Sequence, residues 1–94
     1  MHLLGRDQLE SIKGHNAEID KWLNSWLSEF THARWWCADD VLRQFPMTQE
    51  LGDDSFLFQT GLGEHCIEVL IAFPQGVAII TTTTKIKKED SNGR

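Results

Sequence analysis

Apolar residues recur at helical spacing over one stretch of the chain and at strand spacing over three others. Ile19, Trp22, Leu23, Trp26, Leu27 and Phe30 fall at i, i+3, i+4, i+7, i+8 and i+11. That stripe predicts an amphipathic helix, opened by Asn16 as its cap, with Ile19, Trp22, Trp26 and Phe30 turned inward. Ahead of it, Met1 to Leu4 reads as a short strand. Asp7-Gln8-Leu9-Glu10 has the form of a capping box, an acceptor side chain followed three residues later by Glu. It predicts a short helix with Leu9 and Ile12 on its apolar face, ended at Gly14. Ala33 to Cys37 is a connection, and Asp39 to Gln44 fits a helical turn or two with Val41, Leu42 and Phe45 inward and Pro46 closing it.

Past Pro46 the period falls from 3.6 to 2. Phe56 to Gln59, Cys66 to Phe73 and Val77 to Thr84 are rich in β-branched and aromatic residues. Gly52-Asp53-Asp54, Gly61-Leu62-Gly63 and Pro74-Gln75-Gly76 bound them as turns. Links this short require antiparallel neighbours. The predicted class is α+β: a short N-terminal strand, two helices and a helical turn packed on an antiparallel sheet. Residues 1–88 form a single domain in this reading, and 89–94 a flexible C-terminal tail.

Composition narrows the function classes. The chain has 94 residues, 40% of them hydrophobic, enough for one core and not for two. No apolar run reaches the roughly 18 residues of a membrane span. The start, Met1-His2-Leu3-Leu4-Gly5-Arg6-Asp7, lacks the basic and apolar regions of a signal peptide. Two cysteines are too few for a disulfide framework. A cytoplasmic protein is expected.

Charge matters more. The formal net charge is −5, from 9 Lys and Arg against 14 Asp and Glu. No Lys or Arg stands between Arg43 and Lys85, a stretch that holds Glu50, Asp53, Asp54, Glu64 and Glu68. Because neutralised phosphates supply much of the affinity for nucleic acids, any RNA contact falls to the N-terminal half, to the Lys85, Lys87 and Lys88 cluster, or to a histidine.

Individual residues offer few chemical signals. The four histidines and two cysteines show no metal-ligand spacing, so no metal is expected. Trp35 and Trp36 are adjacent, so an extended backbone points them to opposite sides. Either both cover the helix–sheet junction or one is an exposed partner anchor. In Cys66 to Phe73, Ile67, Val69, Ile71 and Phe73 share one face, and Cys66, Glu68, Leu70 and Ala72 the other. Glu68 is therefore either solvated on an open sheet face or lines a cleft edged by His65. Thr81 to Thr84, leading into Lys85-Ile86-Lys87-Lys88, reads as a solvated edge strand or as a place for an anion to settle.

Several strings taken in order resemble the HigB toxin family of the RelE superfamily. They are the Met-His-Leu-Leu start, His15-Asn16-Ala17-Glu18, the Trp22 to Phe30 helix and Ala33-Arg34-Trp35. Ala38-Asp39-Asp40-Val41, Leu42-Arg43-Gln44-Phe45-Pro46, Gly52-Asp53-Asp54 and Phe56-Leu57-Phe58 complete the match. The resemblance implies a RelE-like fold and a toxin of a type II toxin–antitoxin pair. Such toxins cleave mRNA on the ribosome without metal or cofactor and are neutralised by a helix-turn-helix antitoxin. Family members place Lys and Arg on the middle strands and a His near the C-terminus. Here Gly63-Glu64-His65 stands where the lysine is expected, Cys66 or Glu68 where the arginine belongs, and Thr84 to Asp90 has no histidine. Two expectations follow. In the first, the chemistry is relocated: His65 and Lys85 are catalytic, and Lys87, Lys88 and Arg34 hold RNA. In the second, the chain is a non-catalytic relative whose acidic sheet face, with Glu64, Glu68, Trp35 and Trp36, binds a basic protein partner.

Overall fold

The computed structural model describes residues 1–14, 17–60 and 65–85, with backbone alone at Lys85. Strand β1 (His2–Leu4) leads into a 3-10 helix (Arg6–Ser11) and helix α1 (Ala17–His32). Helix α2 (Ala38–Gln44) follows, then strands β2 (Gln49–Gly52), β3 (Ser55–Gln59), β4 (His65–Ala72) and β5 (Val77–Lys85). A 3-10 turn, Phe73–Gln75, joins β4 to β5. The class is α+β, as the periodicity predicts.

The apolar stripe of α1 is the organising feature. Ile19, Leu23, Trp26 and Phe30 are buried, while Trp22 and Leu27 are half-buried at its margins. The face therefore centres on Leu23 rather than on Trp22. Trp22 instead stacks on Trp26 at 6.0 Å between ring centroids, with 12° between planes. Beneath α1, Phe30 meets Trp35 edge-on at 4.8 Å, and Phe58 receives Trp26 at 5.4 Å and Phe45 at 5.4 Å. Such tilted arrangements set the positive edge of one ring against the negative face of another.

The sheet has five strands in the order β1-β5-β4-β3-β2, and it is mixed. The three-strand meander expected from the sequence is its centre, with β3–β4 and β4–β5 antiparallel. The antiparallel expectation is corrected at one edge, where β1 lies parallel to β5, pairing Leu3 with Ala78. A long-range pairing of this kind leaves no local sequence signal. At the other edge β2 was not predicted, because Gln49, Glu50, Leu51 and Gly52 are all exposed and carry no buried alternation.

One further expectation is corrected. The Arg6–Ser11 helix is not opened by a capping box: its N-cap is Gly5, in the left-handed region at φ 78°, with no side-chain cap. Thr81 to Thr84 runs past the end of β1, which pairs only with Val77 to Ile79, so this part of β5 is an exposed edge segment, as expected. A bulge places Glu68 opposite Thr82 and Val69 opposite Ile80, leaving Thr81 unpaired. Thr83 therefore turns toward the 3-10 helix, where it shares a 2.7 Å hydrogen bond with Ser11 and donates to the Gln8 carbonyl oxygen at 3.3 Å. The Asn16 cap, the turn at 61–63 and the tail at 89–94 lie outside the described residues.

Candidate functional site

Register decides what the sheet presents. The core face carries Phe56, Phe58, Ile67, Val69, Ile71, Ala78 and Ile80, all buried. The opposite face carries Leu4, Ile79 and Leu70 side by side on β1, β5 and β4. They are 43%, 40% and 41% exposed, so no element among the described residues covers this row. Glu68 sits on the same face, flanked by Leu57 on β3 and Thr82 on β5, and is half-buried. Among the described residues it has no ion pair. Of the two placements the sequence leaves open, Glu68 takes the open sheet face.

His65 and Lys85 come together. They are Cα partners at the end of the β4–β5 pairing, one rung beyond Cys66 and Thr84. The His65 side chain is buried, at 9% exposure, and shares the core side with Ile67. Among the described residues its Nδ1 has no hydrogen-bond partner. Thr60 lies across the same rung, its N–H donating to the His65 carbonyl oxygen at 3.0 Å, and its buried hydroxyl is likewise unpartnered. A buried polar atom without a partner is costly, so this rung, like the Trp26 indole N–H, is a polar anomaly in the apolar core. Glu64, Lys87 and Lys88 lie outside the described residues.

The two tryptophans separate as their adjacency requires. Trp35 is 5% exposed, and its indole N–H donates to Gln44 Oε1 at 3.0 Å, so it is a core residue rather than a partner anchor. Trp36 is 83% exposed. With Arg34 it lines an open cleft of about 340 Å³ beside the Phe73–Gln75 turn. Arg34 is thus not with His65 and Lys85. The 8-residue β4 separates the two places by roughly 25 Å, at about 3.3 Å per residue. The sequence grouped Arg34 with the C-terminal lysines on charge alone; only the fold assigns it to the other end of the sheet.

Cys66 is not an activated nucleophile. Burial pushes the Cys66 thiol up from its ordinary value, away from the reactive thiolate. Cys37 is exposed, but the nearby His32 is engaged elsewhere, its Nδ1–H donating to the Ser28 carbonyl oxygen at 2.8 Å. Among the described residues no helix is long and apolar enough to cross a membrane. No protein-family model matches this chain, and no curated protein matches it.

Proposed function

We propose that this chain is a HigB-like toxin of a type II toxin–antitoxin module, cytoplasmic and held by a helix-turn-helix antitoxin. Its expected class is the ribosome-associated mRNA endoribonuclease, with weak cleavage or none. The element order, a strand and helices followed by an antiparallel meander, supports the RelE-like reading. The observation that carries the site is the pairing of His65 with Lys85 on one rung. A histidine and a lysine at paired backbone positions are fitting residue types for this chemistry, one able to move the proton of a ribose 2′-hydroxyl and the other to balance charge on the phosphate. No metal or cofactor is needed. The same rung supplies the reason for weak turnover. A general base must come within hydrogen-bond reach of its proton, and His65 is 9% exposed. The bordering sheet face offers Glu68 in place of a cation.

The test is induced expression in bacteria, with growth measured and mRNA 5′ ends mapped. New ribosome-dependent ends that disappear in His65→Ala would support the proposal. Full growth and an unchanged set of ends, for the chain expressed without its antitoxin, would leave no ribonuclease.

A second reading has its own support. The open row of Leu4, Leu70 and Ile79 beside unpaired Glu68 suits a non-catalytic module that binds a basic amphipathic segment of a partner such as the antitoxin. Contiguous exposed apolar surface rimmed by charge marks protein contacts more than phosphate contacts. Co-purification of a helix-turn-helix protein that is lost in Leu70→Asp, without any cleavage activity, would favour it.

A further inference from the structure

The cleft at the β4–β5 corner is independent of the His65–Lys85 rung and calls for its own ligand. It is lined by Arg34, Trp36, Phe73, Pro74 and Gly76 among others. Burial alternates along the segment that forms one wall: Ala33 and Trp35 are buried, Arg34 and Trp36 exposed. Arg34 and Trp36 therefore project to the same side. The wall is held from behind. The Trp36 backbone N–H donates to Asp40 Oδ2 at 2.8 Å, and the Trp35 indole is fixed to Gln44. Arg34 is the only charged side chain among the lining residues. Among the described residues it has no hydrogen bond or ion pair. The Asp40 carboxylate, six residues on, is already occupied by the Trp36 N–H and by Arg43 at 3.5 Å.

We infer that this cleft docks a peptide segment bearing an apolar side chain and, two residues further on, a carboxylate. The apolar group packs between Trp36 and Pro74, and the carboxylate meets the Arg34 guanidinium. Geometry fits, because residues two apart in an extended chain lie about 6.6 Å apart on one side, in the wall and the ligand alike. Size fits as well: about 340 Å³ is at the small end of ligand sites and takes an anchor side chain or two. Charge selects the class. A nucleic-acid strand brings a phosphate at every nucleotide to a chain of net charge −5, whereas a single carboxylate meets the Arg34 guanidinium, the Met1 ammonium in the same lining being engaged by the Thr31 and Ala33 carbonyl oxygens. A rigid indole left in water on a fixed backbone loses little freedom when covered, which is how aromatic anchors contribute at interfaces.

The experiment is an NMR titration of the full chain with acetyl-Phe-Gly-Asp-amide, following the Trp36 indole N–H, assigned by its loss in Trp36→Phe. Saturable shifts confined to residues 34–36 and 73–76 are expected. Replacing Asp by Asn in the peptide, or Arg34→Gln in the protein, should weaken binding about tenfold, the size of one hydrogen bond between charged partners. Trp36→Ala should abolish it. Both side chains are exposed, so an unchanged melting temperature will show that each variant folds. Equal binding of the Asp and Asn peptides, no effect of Arg34→Gln, or no shift at millimolar peptide would overturn the proposal. Tighter binding of a uridine tetranucleotide than of the peptide would overturn it in favour of a nucleic-acid site.

Discussion

At the scale of single residues, two glycines with nearly the same backbone angle make a controlled comparison. Gly5 has φ +78°, and a Cβ added there would lie 2.6 Å from the Ile80 carbonyl oxygen, a main-chain atom of the sheet that cannot swing aside. Gly14 has φ +82° with nothing within 4 Å of the same added atom. Gly14→Ala should therefore lose only about 1 kcal/mol, from left-handed strain. Gly5→Ala should lose about 2–4 kcal/mol, because overlap adds to strain. Chemical denaturation of the two variants checks this, and equal losses would mean that β1 is not seated against β5. Trp26 offers a second comparison. It is 2% exposed, yet its indole N–H has no partner. Trp26→Ala should cost about 3–5 kcal/mol. Trp26→Phe keeps the ring packing on Phe30 and Phe58 and removes the orphaned donor, so it should cost less than about 2 kcal/mol. Thermal melts would expose a peripheral Trp26 if the alanine variant lost only a degree or two.

At the scale of elements, legibility followed burial. Helix α1 was readable because a helix packed on a sheet must repeat its apolar residues every three or four positions. What the spacing left open was which of Trp22 and Leu23 sits at the centre, since both are apolar and adjacent. The β3, β4 and β5 strands were readable by the same rule at period two. The Arg6–Ser11 helix was read from its side chains, yet Gly5 begins it, since the backbone there must turn away from the sheet with φ positive. Strand β2 was illegible because both its faces are exposed. Its hairpin is defined by the turn instead: Asp53 and Asp54 have φ of 51° and 63°, both in the left-handed region, with Gly52 paired to Ser55. Two such residues match the twist of the flanking strands, and Gly suits them better than Asp. Asp54→Gly should raise stability by about 0.5–1 kcal/mol. A fall in the denaturant midpoint would show that the Asp54 side chain has a role beyond the turn.

At the scale of the molecule, the distribution of charge decides between partners. Asp53 and Asp54 at one hairpin and Glu68 on the open face give that side a negative potential, and no lysine or arginine stands between Arg43 and Lys85 to oppose it. Glu68→Arg changes the local charge from −1 to +1. It should strengthen binding to single-stranded RNA several-fold at low salt and steepen the dependence on salt by about one ion, as one phosphate contact is gained. It should also weaken a protein partner held by that face. Fluorescence titration of labelled RNA at two salt concentrations, with a pull-down from host lysate, reads both effects. Wild-type binding that is already tight and salt-steep would return the face to RNA. The site itself was only half legible. Histidine and lysine types could be marked along the chain, but the rung joining His65 to Lys85 and the separation of Arg34 from both are products of strand register.

The parallel seam between β1 and β5 bears on how the molecule comes into being. During synthesis, residues 2–4 leave the ribosome first, but their partners, Val77 to Ile79, emerge more than seventy residues later. The α1 stripe is made early and has no β4 or β5 to cover it until those strands are synthesised. A nascent chain halted before Val77 would hold Trp26 and Phe30 against an unfinished layer, the kind of exposed intermediate that aggregates or recruits chaperones. Folding of this sheet is thus timed by β5, and a message cut anywhere upstream of that strand yields a product that cannot close the sheet.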